Sequence, residues 1–185
     1  MDLQTYQTQA WRTANVKHNI TTSKAVLLNM AMGLTGEAAE LFVLLTHFEP
    51  HMTDDILNEA GDILWYTTGL ATAINMTLED AISAETFEDL KPAQITFPTA
   101  AAYLIKATGA ISEHLKKHIF QGHEFRPTQI IAHTTLIAEI LATIGYILDK
   151  PLVDIAAHNI AKLTARYPTG TFRAEDSRNR PVKTN

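Results

Sequence analysis

Apolar residues recur at helical spacing along most of this chain, and no stretch shows convincing alternation closed by hairpin turns. A short helix is expected over LQTYQTQAWRTAN (3–15). A long one follows over TTSKAVLLNMAMGLTGEAAELFVLLTHF (21–48), with Thr22 or Ser23 as its N-cap. TDDILNEAGDILWYTTGLATAI (53–74) opens with Thr53 and acids in its first turn, where they complement the helix dipole. TLEDAISAETFEDL (77–90) opens at Thr77, with Asp80 at near capping-box spacing. KPAQITFPT (91–99) breaks the pattern with two prolines and reads as a linker. Helices are then expected over AAYLIKATGAISEHLKKHIF (101–120), PTQIIAHTTLIAEILATIGYIL (127–148) and PLVDIAAHNIAKLTARY (151–167), the last two opening on proline. The polar, basic tail from Pro168 is expected to be irregular. The fold class is all-α, a helical bundle.

The two sides of the linker align weakly with each other. TGEAAELFVLL (35–45) matches TGAISEHLKKH (108–118), and INMTLEDA (74–81) matches ILDKPLVDIA (147–156) after one longer loop. The expected organisation is two tandem, degenerate helical repeats, 1–92 and 93–185, packed as one compact domain with pseudo-twofold symmetry.

Composition narrows the class. A chain of 185 residues with 46% hydrophobic and 19% charged residues is globular rather than disordered. A net charge of −5 argues against binding polymeric nucleic acid. The absence of cysteine removes disulfides and thiolate zinc sites, and fits a reducing cytoplasm. The opening MDLQTYQTQAWRT lacks the basic-then-apolar layout of a signal peptide, and Glu, His or Asp interrupt the apolar stretches. A cytoplasmic protein with no membrane partner is expected.

Charge is concentrated in one respect. Between Ala25 and Leu45 the only charges are Glu37 and Glu40; between Ile56 and Leu78 they are Glu59 and Asp62. Residues three apart share a helix face, so each pair projects one way from its helix. FEPHMT between the helices makes a tight return, so the pairs can meet in one cleft. An isolated E-x-x-E is ordinarily a solvated acidic face, but helices this apolar are buried on most sides. Four carboxylates in such a cleft either hold protons or share a cation. All-oxygen ligands select a hard cation, Mg²⁺ or Mn²⁺.

Glu37-Ala-Ala-Glu40, eighteen residues, then Glu59-Ala-Gly-Asp62 resembles the E-x-x-E … E-x-x-D signature of the all-α nucleoside triphosphate pyrophosphohydrolases. YQTQAWRTA, GLTGEAAEL, EAGDILWY, LEDA and NIAKLTARYP resemble the short MazG-like members found in phages and bacteria. The likeness covers nearly the full chain, with one departure: the acids lie in the first half and the basic motif in the second. At the aligned positions of the second half, Glu37 becomes Ala110, Glu59 becomes His133 and Asp62 becomes Leu136; only Glu113 matches Glu40. The resemblance implies one working site divided between the halves.

It further implies Mg²⁺-dependent hydrolysis of a (deoxy)nucleoside triphosphate to the monophosphate and pyrophosphate. Glu37, Glu40, Glu59 and Asp62 would hold the metal, and Glu40 or Glu37 would take the proton of the attacking water. Asn159, Lys162 and Arg166 fall on one helical stripe that offers an amide, an ammonium and a guanidinium to phosphates, with Tyr167 and Lys117 as further candidates. Trp65, with Tyr66, Trp11 and His118 behind it, is a candidate to stack on the base, although aromatics at helical spacing are more often core. His133 reads as a satisfied buried histidine, and His47, His51 and His123 as solvent-facing turn residues. A homodimer is expected. The alternative is a catalytically inert helical module that binds a nucleotide or a partner; a di-iron bundle would want Glu-x-x-His pairs, which are absent.

Overall fold

The computed structural model describes residues 1–15, 23–83 and 95–178, and every described element is helical. Helix α1 (Leu3–Trp11) starts where the Asp2 carboxylate accepts from the Thr5 amide at 2.7 Å. Helix α2 (Ser23–Thr46) is joined through a 3₁₀ turn at Pro50–Met52 to helix α3 (Thr53–Ala73). Thr22, one of the two expected caps of α2, and the expected continuation from 84 to 90 lie outside the described residues.

Two glycines set the α2–α3 register. Gly33 has the Tyr66 ring where its side chain would be, and Gly69 has the Met30 sulfur. Moving back one turn on α2 therefore moves forward one turn on α3, so the helices run antiparallel. Continued in the other direction, that register sets Glu37 and Glu40 of α2 across from Asp62 and Glu59 of α3.

Helix α4 (Leu78–Ser83) opens as its sequence predicts, with the Asp80 amide donating to Thr77 Oγ1 at 2.9 Å. Helix α5 (Phe97–Gln121) begins inside the expected linker. Thr96 caps it by accepting from the Thr99 amide at 3.4 Å, and Pro98 sits in the first turn, where no amide hydrogen is needed. Gly122, at φ 72°, ends it in the left-handed conformation that glycine adopts without strain. Helix α6 (Pro127–Ile147) and helix α7 (Leu152–Arg166) follow as expected. The tail is less irregular than its composition predicts: Ala174–Arg178 form a short helix, α8, with Glu175 and Asp176 in its first turn.

Helix α3 is the axis of the bundle. It packs against α1, α2, α6 and α7, while α2 also packs on α5 and α5 on α6. One continuous apolar cluster draws on both halves, from Tyr6, Met30 and Leu64 to Leu104, Ile140 and Ile155. Each fully buried leucine or isoleucine contributes roughly 1.5–3 kcal/mol relative to exposure. By length and composition alone, α2 and α6 are each long and apolar enough to cross a membrane. Core helices of bundles pass the same test, and α6 is mostly buried; a third of the apolar window of α2 is buried.

Candidate functional site

Three of the four acids converge. Carboxylate oxygens of Glu37 and Glu40 on α2 and of Glu59 on α3 all lie within 4.8 Å of one another, a spacing that a single metal ion can bridge. Their surroundings are graded. Glu40 is exposed, Glu37 half-buried, and Glu59 only 4% exposed. The small neighbours Ala38 and Ala60, both fully buried, let the two backbones approach here.

This crowding acts on Glu37. Burial pushes its carboxyl up to about 8, reinforced by the charge of Asp62, by a hydrogen bond with Glu59, and by the charges of Glu59 and Glu40. A hydrogen bond between two carboxyl groups requires a proton on one of them. Glu37 is therefore protonated at neutral pH as long as no cation is present, and a cation between these groups relieves the same repulsion. Hard oxygen donors without a thiol suit Mg²⁺ or Mn²⁺.

Asp62, expected as the fourth member, faces α7. Lys162 Nζ lies 2.5 Å from its Oδ2, and the Asn159 side-chain amide donates to its Oδ1 at 3.2 Å. Lys162 also approaches the Asn58 carbonyl at 3.5 Å. Both members of the ion pair keep some contact with water, 20% for Lys162 and 17% for Asp62. The basic stripe of α7 thus reaches the edge of the acidic crevice, and two of its members are turned to an acid.

The remaining expected residues are distributed differently. Arg166 is half-buried in the last turn of α7, where a cation complements the helix dipole. Tyr167 is buried at the end of that helix, with its ring 5.8 Å from Phe172. Trp65 is half-buried and its indole N–H is committed to α1, donating to the Ala10 carbonyl at 3.1 Å and to Thr13 Oγ1 at 2.9 Å. Lys117 lies 3.3 Å from Glu113. His47, His51 and His123 are exposed, as expected. His133 is half-buried, but its Nδ1 is buried with no hydrogen-bond partner, which corrects the expectation of a satisfied histidine. Burial, with Lys106 and His114 nearby, lowers its pKa and keeps the ring neutral.

Two contributors, Tyr6 and His158, were missed by the sequence reading, and Gly61, expected to let helices approach at the acids, does so toward α7. Tyr6 of α1, fully buried, donates its hydroxyl to Asn159 Oδ1 at 2.9 Å. His158 Nε2 lies 3.0 Å from Asn58 Oδ1, a second polar tie between α7 and α3. Gly61 gives α7 its room, because a Cβ there would lie 2.9 Å from that of Asn159. The i, i+3, i+4 run of Ile155, His158 and Asn159 was the available signal for the α7 face that meets α3. No protein-family model, curated protein or solved structure matches the chain.

Proposed function

We propose that this chain is a MazG-like nucleoside triphosphate pyrophosphohydrolase, dependent on Mg²⁺ (with Mn²⁺ able to replace it), that converts a (deoxy)nucleoside triphosphate and water to the monophosphate and pyrophosphate. The observation that carries the reading is the convergence of Glu37, Glu40 and Glu59 from two antiparallel apolar helices. When bound, the cation supplies Lewis acidity toward phosphate oxygens and the attacking water.

The chain's own residues supply the rest. Glu37 and Glu59 hold the buried side of the crevice. Glu40, at its exposed edge, takes the proton of the water whose oxygen attacks phosphorus. The anhydride P–O bond breaks and its electrons leave with pyrophosphate. Lys162 and Arg166 balance phosphate charge from α7; Lys162 needs only to exchange Asp62 for a phosphate oxygen. The same reading makes the second half a degenerate copy of the first, and the protein a cytoplasmic homodimer acting on small molecules.

One observation favours the second reading, an inert nucleotide- or partner-binding module: Lys162, the cation best placed for phosphate, is held by Asp62. Pyrophosphate release with Mg²⁺ across a panel of (d)NTPs separates the two. The enzyme reading expects wild-type turnover that Glu40→Gln abolishes. An inert wild type that still binds nucleotide supports the module, and turnover undiminished in Glu40→Gln removes the role given to the acids.

A further inference from the structure

We infer that Tyr6 and Asn159 are positioning residues: a buried hydroxyl–amide relay that fixes the carboxylate of Asp62 at the edge of the acidic crevice. The inference deepens the metal-centre reading and, in its second part, rests on it. It starts from a polar pair in an unusual place. Tyr6 is fully buried on α1, Asn159 is fully buried on α7, and their side chains meet at 2.9 Å. A buried amide left unpaired costs about 1–3 kcal/mol, so such a pair persists only where its geometry is satisfied.

Donors and acceptors allow one arrangement. An ionised Asp62 only accepts, so Asn159 must turn its NH₂ toward it, and that contact is 3.2 Å. The amide oxygen then faces Tyr6, which must donate. Burial and the nearby charge of Asp62 both raise the Tyr6 pKa well above its usual value, so the phenol keeps the proton it donates. A flipped amide would set oxygen against carboxylate and leave the phenol to accept.

The relay links three helices at one point. Tyr6 brings α1, Asn159 brings α7, and Asp62 stands on α3, one residue after the glycine that admits Asn159. With Lys162 on the other oxygen, Asp62 is held on both sides. It stands one helical turn after Glu59 on α3 and opposite Glu37 in the α2–α3 register, at the edge of the clustered carboxylates. The single proton of the Tyr6 hydroxyl goes to Asn159 and to none of the three clustered acids, so its influence on them runs through Asn159 and Asp62. Residues that orient metal-site carboxylates in this way typically change metal affinity about 10–100-fold when removed.

The test uses Tyr6→Phe, which deletes one oxygen and keeps the ring, with Asn159→Ala and the double variant, after circular dichroism shows that each folds. The first readout needs no metal: solvent exchange of the Asn159 side-chain NH₂ followed by NMR. It is expected to be slow in the wild type and at least about 10-fold faster in Tyr6→Phe. Equal exchange in both proteins overturns the relay. The second readout is Mn²⁺ affinity by electron paramagnetic resonance. Tyr6→Phe is expected to weaken it about 10-fold, and the double variant no more than Asn159→Ala alone, since residues acting in series are not additive. Additive losses, or unchanged Mn²⁺ affinity, overturn the positioning role. A wild type that takes up no Mn²⁺ while its amide stays protected overturns the metal reading and the positioning role with it, and leaves the hydrogen-bonded relay standing.

Discussion

Glu113 on α5 stands in water, where the ammonium groups of Lys116 and Lys117 hold its carboxyl below the usual carboxylate range. Glu37 on α2 has the reverse surroundings, and burial together with three neighbouring acids drives its carboxyl up to about 8. The two helices pack on each other and carry the alignable stretches TGEAAE and TGAISE. At the other aligned positions of the second half stand Ala110, the neutral His133 and the buried Leu136, none of them an acid. A carboxylate is inexpensive beside lysines in water and expensive beside other carboxylates in a crevice. The first arrangement needs nothing further. The second is relieved by a cation, and that is why the α2–α3 crevice carries the functional reading.

The largest expected effect comes from removing acids on one side of this comparison only. Glu40→Gln is expected to lower pyrophosphate release by about 100-fold or more, while Glu113→Gln leaves it unchanged; steady-state assays with Mg²⁺ decide. Next is the ion pair at the crevice edge. Lys162→Met leaves Asp62 without its cation and is expected to cost about 2 kcal/mol in urea unfolding, discounted from the value for a fully buried pair because both partners keep water contact. Lys117→Met, on the exposed side, should cost less than about 0.5 kcal/mol.

Glycines sharpen the contrast at a smaller scale. Gly61→Ala presses a methyl against Asn159 and is expected to cost about 1–2 kcal/mol. Gly109→Ala meets nothing within 4 Å and should stabilise α5 by about 0.5–1 kcal/mol.

The pH dependence of stability has opposite signs in the two regions. Glu37 has a folded pKa of about 8 against an ordinary 4.5, so the native state holds the extra proton between those values. Its contribution is fully present below pH 4.5 and is lost as pH rises toward about 8. Glu113, with a lowered pKa, contributes above its ordinary value and loses that contribution as pH falls through its folded one. Thermal melts in EDTA should therefore fall from pH 5 to 8, and Glu37→Gln should flatten that slope.

The helices were legible because burial imposes a helical period on the sequence, and the convergence of Glu37, Glu40 and Glu59 followed from matched spacing across a short return. Asp62 shows where such reasoning stops. Three residues along a helix leave a rotation of about 60° between side chains, enough to turn Asp62 from α2 toward α7. Which helix fills that side depends on packing between distant segments, through Gly61, Asn159 and Tyr6. The start of α5 was misjudged because prolines break helices in their middles but suit their first turns, as Pro98 does. Trp65 and Tyr167 stood as candidate ligand contacts although aromatics at helical spacing are more often core, and the fold uses them to join α3 to α1 and to close α7.

The most direct measurement is calorimetric titration of Mn²⁺ into metal-free protein at pH 7 in buffers of different ionisation enthalpy, which counts the protons released. The account predicts saturable binding to wild type and Glu113→Gln with release of about one proton, supplied by Glu37, and its loss in Glu59→Gln. Equal Mn²⁺ uptake by all three proteins, or binding without proton release, contradicts it.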